Sequence, residues 1–216
     1  MQSVGVTLFE KNLDRRIERF DTSGRTLVAS VVDLAYKYQL PMAVEYVDRD
    51  ATTRPLNLQS HNESLRQIFQ AIIQQAPKYR VSFSQGLVDV FAPEAREDPS
   101  NLLNKVIKDF TVTQLDTHQA DLELFCALGR EAGSSGGCGG SIAIGQWQPL
   151  KITLHLKNAK AYEILNAIAA QNGKAIWTLM VRPENLSKIQ GNLWYVYPLE
   201  QSFKAVLLER LVNMER

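Results

Sequence analysis

The chain has 216 residues, 45% of them hydrophobic and 22% charged, the balance of a globular protein that buries a core rather than of a disordered chain. With 24 Lys and Arg against 23 Asp and Glu, the formal net charge is +1, so no global field draws in nucleic acid or anionic lipid. No apolar run approaches the roughly 20 residues that span a bilayer. The opening MQSVGVTLFEKNLDRR lacks the basic-then-apolar layout of a secretory leader, so a cytoplasmic location stays open.

In chain order, Asp21, Thr22 and Ser23 supply capping chemistry ahead of a helix whose Leu27, Val31, Leu34, Ala35 and Tyr38 recur at helical spacing. Pro41 stops it, because proline cannot continue the hydrogen-bond ladder. Met42 to Val47 reads as a strand, and Arg54 to Leu58 as a short one kept near an edge by Pro55. Leu65, Ile68, Phe69 and Ile72 then form one buried helical stripe, capped by Asn62 or Ser64. Tyr79, Val81 and Phe83 alternate as a strand, Ser84-Gln85-Gly86 turns, and Leu87 to Phe91 returns as the hairpin partner. The polar stretch from Ala92 to Pro99 holds two prolines and reads as a linker.

The second half repeats this grammar. Phe110 to Leu115 reads as a strand, and Asp116-Thr117 caps a helix with Leu122, Phe125, Cys126 and Gly129 on one face. A glycine-rich loop, GSSGGCGG, leads to a short strand at Ser141 to Ile144. Ile152, Leu154 and Leu156 alternate, AYEILNAIAAQNG forms a helix ending at Gly173, and Ala175 to Leu179 and Leu193 to Tyr197 close the sheet. A shift of about 96 residues lays Leu65, Ile68, Phe69 and Ile72 on Ala161, Ile164, Leu165 and Ile168. The same shift lays Tyr79, Val81 and Phe83 on Ala175, Trp177 and Leu179. The expected fold class is α+β, with two similar domains, each having two helices packed on short mixed sheets. The boundaries fall at 1–93 for the first domain, 94–104 for the linker, 105–200 for the second domain and 201–216 for a C-terminal helix.

Each copy resembles the short N-terminal domain of secretins and TonB-dependent receptors. The resemblance rests on the order strand, helix, strand, strand, helix, hairpin. It rests also on Pro55 to Leu58 followed by SLRQIFQAI, and on the closing hairpin Tyr79 to Phe91. It covers most of residues 15–93 and, more weakly, 110–198. It implies small periplasmic modules that dock to partner proteins or stack as rings at the outer membrane, and it carries over no catalytic residue. Two copies with no β-barrel or secretin pore following them depart from the family pattern.

The glycine loop at 133–140 follows a helix and enters a strand, with no Lys after it. A phosphate-cradling loop runs the other way, so a plain connection is the preferred reading. Cys138 in that loop is a candidate nucleophile for a thiol-dependent or small-molecule-binding enzyme, the alternative function. Cys126 sits on an apolar helix face and is a candidate disulfide partner for Cys138 in an oxidising compartment. No residue pattern calls for a cofactor or metal. Aromatic residues concentrate in the second copy; Trp147, Trp194 and Tyr195 are the candidate interface, Trp194 and Tyr195 pointing to opposite faces of a strand. The C-terminal SFKAVLLERLVNMER carries the apolar stripe Phe203, Val206, Leu207, Leu211 and Met214, which packs on its own domain. The expected function is a non-enzymatic protein-interaction module of the cell envelope. Its partners would be an envelope protein or a second copy of itself, with no nucleic acid and no transmembrane segment in this chain.

Overall fold

The computed structural model describes residues 4–46, 49–131, 150–180 and 194–213. In the first half, α1 (Val4–Leu13) leads into β1 (Arg16–Asp21), α2 (Leu27–Tyr38), β2 (Met42–Tyr46) and the short α3 (Asp50–Thr53). β3 (Gln59–Ser64), α4 (Leu65–Gln74), β4 (Arg80–Ser84) and β5 (Leu87–Phe91) complete it. The chain then runs through α5 (Pro93–Glu97) and a 3-10 turn at Leu102–Asn104. The second half contains β6 (Val106–Leu115), α6 (Thr117–Glu131), β7 (Ile152–Lys160), α7 (Ala161–Asn172), β8 (Ala175–Met180), β9 (Trp194–Pro198) and α8 (Gln201–Asn213). The chain is therefore α+β, as its periodicities predict.

Local chemistry accounts for the element ends. Thr26 caps α2 by accepting the Ala29 N–H at 3.3 Å. Ser64 begins α4 with a reciprocal box: its hydroxyl accepts the Gln67 N–H and the Gln67 side chain accepts the Ser64 N–H. Of the two residues expected to cap this helix, Ser64 is the one that does. Gly173 ends α7 with φ +68, a left-handed position. Gln85 and Gly86, both at positive φ, form the two-residue turn between β4 and β5.

Three sheets result. β1 and β3 form one antiparallel ribbon and β6 and β7 another, while the third sheet runs β4-β5-β2-β8-β9. β2 lies parallel to β5 on one side and parallel to β8 on the other. The two halves thus share one sheet. Met42, Ala43, Val44 and Glu45 are all buried, as are Ala175 to Leu179 opposite them, which is the pattern of strands covered on both faces rather than one. One continuous hydrophobic core takes in both halves.

Several details recur 96 residues apart. Asn62 and Asn158 both take positive φ, 54° and 50°. The Gln75 side chain accepts the Asn57 N–H and donates to the Asn57 carbonyl, at 3.0 and 2.8 Å. Gln171 does the same to Thr153, at 3.0 and 2.8 Å. Glu163 accepts the Lys160 N–H as Gln67 accepts that of Ser64; only the first copy completes the box, because a lysine side chain has no acceptor.

Four expectations need adjusting. Arg54 to Leu58 is not a strand: apart from one bridge from Thr26 to Pro55, pairing begins at Gln59. Thr22 explains the alternation there, since its buried hydroxyl donates to the Leu56 carbonyl and accepts the Leu58 N–H, pinning the chain without a ladder. Residues 94–104 are packed rather than loose: Ala95, Asn101, Leu102 and Leu103 are buried, and the Asn101 side chain donates to the Ala95 carbonyl and accepts the Leu103 N–H. On α6 the buried apolar residues are Ala120, Leu124, Cys126, Ala127 and Leu128; of the expected face Cys126 is buried, while Leu122, Phe125 and Gly129 are only half-buried. α8 buries Leu207 but lies on α2 of the first half, where Lys204 pairs with Asp33 and Gln201 donates to the Tyr36 carbonyl. The α1 helix, whose Phe9 and Leu13 are buried, had no recognisable cap or stripe in the sequence.

A shared sheet and core should unfold as one unit. All three tryptophans lie in the second half, and Ile68 is fully buried in the first. Ile68→Ala should cost about 2–5 kcal/mol and lower the tryptophan-fluorescence midpoint together with the far-UV circular dichroism midpoint. A fluorescence transition that stays in place while the dichroism splits into two steps would mean the halves unfold separately.

Candidate interaction surface

A polar cluster sits on the seam between the halves. β2 supplies Glu45, β5 supplies Asp89, and α5 directs Arg96 between them. The Arg96 guanidinium forms a two-pronged contact with Asp89, Nη1 at 2.7 Å and Nη2 at 2.8 Å, and its Nε donates to Glu45 at 3.0 Å. Phe91 lies with its ring 4.0 Å from the guanidinium carbon and Tyr162 with its ring 4.3 Å away. From α7, Asn166 donates to Asp89 at 3.0 Å and accepts the Trp177 indole N–H at 2.9 Å. One arginine therefore joins β2, β5 and α5 and meets the first helix turn of α7.

The electrostatics give the cluster a direction. Burial pushes the Glu45 carboxyl above the ordinary carboxylate range, against the opposing pull of Arg96. Burial also works against the Arg96 charge, but the hydrogen bonds and charge of Asp89, with those of Glu45, outweigh it and hold the guanidinium above its usual value. Arg96 is thus a fixed cation held chiefly by Asp89. The Glu45 side chain is fully buried and that of Arg96 is 12% exposed, which leaves little access for a substrate. The cluster is built to join elements.

The arrangement nearest to a catalytic group lies on the β6–β7 ribbon. Thr111 donates to Asp109 at 2.8 Å and lies 2.7 Å from His155 Nδ1 on the facing strand. A nucleophile needs the histidine to take the hydroxyl proton. Here the hydroxyl has a single proton, and given to the carboxylate it is not available to Nδ1. All these bonds are solvent-exposed, and the set reads as a cross-strand polar ladder. Nothing in the sequence pattern singled it out, because Thr111 and His155 meet only through strand pairing.

The open surface features lie elsewhere. A groove of about 380 Å³ is lined by Leu8, Phe9 and Asn12 of α1, by Gln39 to Pro41, by the Gln85-Gly86 turn, and by Ala167, Ala170, Gln171 and Gly173 at the end of α7. Leu8 stands at its edge, 60% exposed, and both halves contribute walls. Its polar walls are partly committed, since the Gln39 amide donates to the carbonyls of Tyr36 and Leu199, and Gln171 is held by Thr153.

Of the residues singled out in the sequence, Trp147, Cys138 and the glycine loop lie outside the described residues. Trp194 and Tyr195 are in β9, paired with Leu179 and Thr178, with their side chains outside the description. Trp177 and Tyr197 are core residues. Cys126 is buried on α6 and disulfide-bonded. Among the described residues no group of three or more His, Cys, Asp or Glu could hold a metal ion, and no helix is long and apolar enough to cross a membrane. No family model, curated protein or solved structure matches the chain.

The cluster predicts unequal carboxylates. Asp89→Asn should cost about 3–5 kcal/mol by stripping a buried cation of its main partner. Glu45→Gln should be tolerated. Its folded value is raised, so the folded chain binds the Glu45 proton more tightly than the unfolded chain. That contribution is present at low pH and is lost as the pH climbs from the ordinary carboxylate value of 4.5 through the raised one. The glutamine variant should match or exceed wild type in urea at about pH 8, with the gap closing toward about pH 5. Equal losses for both variants would contradict this assignment.

Proposed function

We propose that this chain is a non-enzymatic protein-interaction module of a bacterial cell envelope, similar in build to the periplasmic N-terminal domains of secretins and TonB-dependent receptors. One observation carries the reading: the first half runs strand, helix, strand, strand, helix, hairpin, the described residues of the second run strand, helix, strand, helix, hairpin, and the same side-chain clamps recur 96 residues apart. Partners are recognised through exposed sheet edges and through apolar grooves. The groove between the halves, with Leu8 exposed at its edge, is the surface best suited to a partner. Cys126, oxidised and buried on α6, supports a compartment that sustains disulfides, with Cys138 as its expected partner.

Two measurements test this. A photo-crosslinking amino acid at Leu8, in cells carrying the full-length protein, should give an adduct with another protein in the envelope fraction. A chain recovered with cytoplasm and no adduct would sink the reading. Without reductant, neither Cys126 nor Cys138 should take up an alkylating probe, and both should after reduction. Reduction should also lower stability by about 3 kcal/mol for a loop of this size. Rapid labelling of Cys138 in the unreduced protein would favour thiol chemistry instead.

A further inference from the structure

β4 ends the five-stranded sheet; among the described residues it pairs with β5 alone. Edge strands are usually guarded by lysine, proline, an inward charge or a bulge. β4 reads Arg80-Val81-Ser82-Phe83-Ser84 and has none of these. It holds no Lys or Pro, and its pairing with β5 runs without a register shift. Its one charged side chain is Arg80 at the start of the strand, which donates to the carbonyls of Pro77 at 2.9 Å and Tyr79 at 2.8 Å. Val81, Ser82 and Phe83 are half-buried, with the Phe83 ring 6.1 Å from that of Phe69 on α4.

The strand 96 residues on shows how such an edge is used in this protein. β8 corresponds to β4, and each forms an antiparallel hairpin with the strand that follows it. The other edge of β8 is taken by β2. The matching edge of β4 has no strand partner among the described residues.

We propose that β4 pairs with β4 of a second copy of this chain, antiparallel, about a two-fold axis at Ser82. This rests on the interaction-module reading and names one partner for it. The strand is complementary to itself in that register. Val81 falls opposite Phe83 of the second copy twice over, a favourable β-branched and aromatic pair, and Arg80 falls opposite Ser84, so no like charges meet. A slip of one residue would put Val81 and Phe83 on the wrong face. Pairing also gives partners to a row of edge N–H and C=O groups. Five residues of edge make a contact at the small end of specific interfaces, so the dimer is weak and concentration-dependent.

Sedimentation equilibrium of the full purified chain, up to about millimolar concentration, provides the test. The mass should rise with concentration toward twice the monomer. Ser84→Glu sets a carboxylate opposite Arg80 of the second copy and should tighten the dimer about fivefold. Ser84→Lys should loosen it about fivefold, and Arg80→Glu added to Ser84→Lys should restore it. Both positions are exposed, so thermal midpoints should hold, which separates these effects from misfolding. A monomer in every variant, Ser84→Glu included, overturns the proposal. So does a dimer with the same constant in all of them, because it must form through another surface. A monomeric chain that still crosslinks to an envelope protein through Leu8 removes this pairing and leaves the module reading intact; a β4 dimer with no envelope adduct does the reverse.

Discussion

A strand paired on both edges and covered on both faces has no water to hydrate it, and β2 is in that position between β5 and β8. Most of its residues meet that condition by being apolar. Glu45 does not, and the rest of the seam follows from it. A buried carboxylate needs a cation and further hydrogen bonds. Arg96 is the cation, and α5 exists where it does to bring Arg96 back over the sheet. Asp89 holds the arginine charged, Asn101 reaches Glu45 at 3.4 Å, and Asn166 ties Asp89 to Trp177 in the second half. The segment that links the halves in sequence is thereby also what fastens them in space.

The halves use one grammar for different ends. In the first, buried Thr22 binds the backbone on either side of Asn57. In the second, buried Thr117 instead receives the Asn172 side chain at 2.7 Å, tying the start of α6 to the end of α7. Outer edges differ as well. The first half contributes a strand to the middle of the shared sheet, while the second lays α7 against β2, β5 and β8 together. Any specialisation between them follows from this asymmetry, since the clamps that set each helix against its ribbon are the same.

Much of this was legible in the sequence, and the parts that were not share a cause. The α4 stripe, the β4–β5 hairpin, α7 and its glycine stop rest on local signals: periodicity of 3.6 or 2, a capping serine, a residue suited to positive φ. Long-range choices left no such mark. Nothing near Met42 says that its neighbour will be Ile176, and Arg96 looked like part of a solvated charged stretch until Glu45 and Asp89 were placed beside it. The Leu56 and Leu58 alternation imitated a strand because side-chain clamps hold that backbone extended. The buried face of α6 was legible only in part, at Cys126, because small residues, Ala120 and Ala127, line much of it, and alanine carries little signal of orientation. α1 offered neither cap nor stripe, and its place comes from packing and from Arg66 reaching Glu10 and Asp14 at its end.

The central position of β2 also sets a timetable for synthesis. At about 5–20 residues per second, β2 leaves the ribosome on the order of ten seconds before the β8 residues that take its second edge. The first half can close its own ribbon, helices and hairpin in that interval, but it does so with a buried-type strand, Met42-Ala43-Val44-Glu45, open along one side. The nascent chain therefore passes through a stage at which a flat apolar edge is exposed to other nascent chains. Holdase chaperones, slow codons after residue 93, or a crowded polysome would each change the yield of this protein without changing the stability of its finished fold.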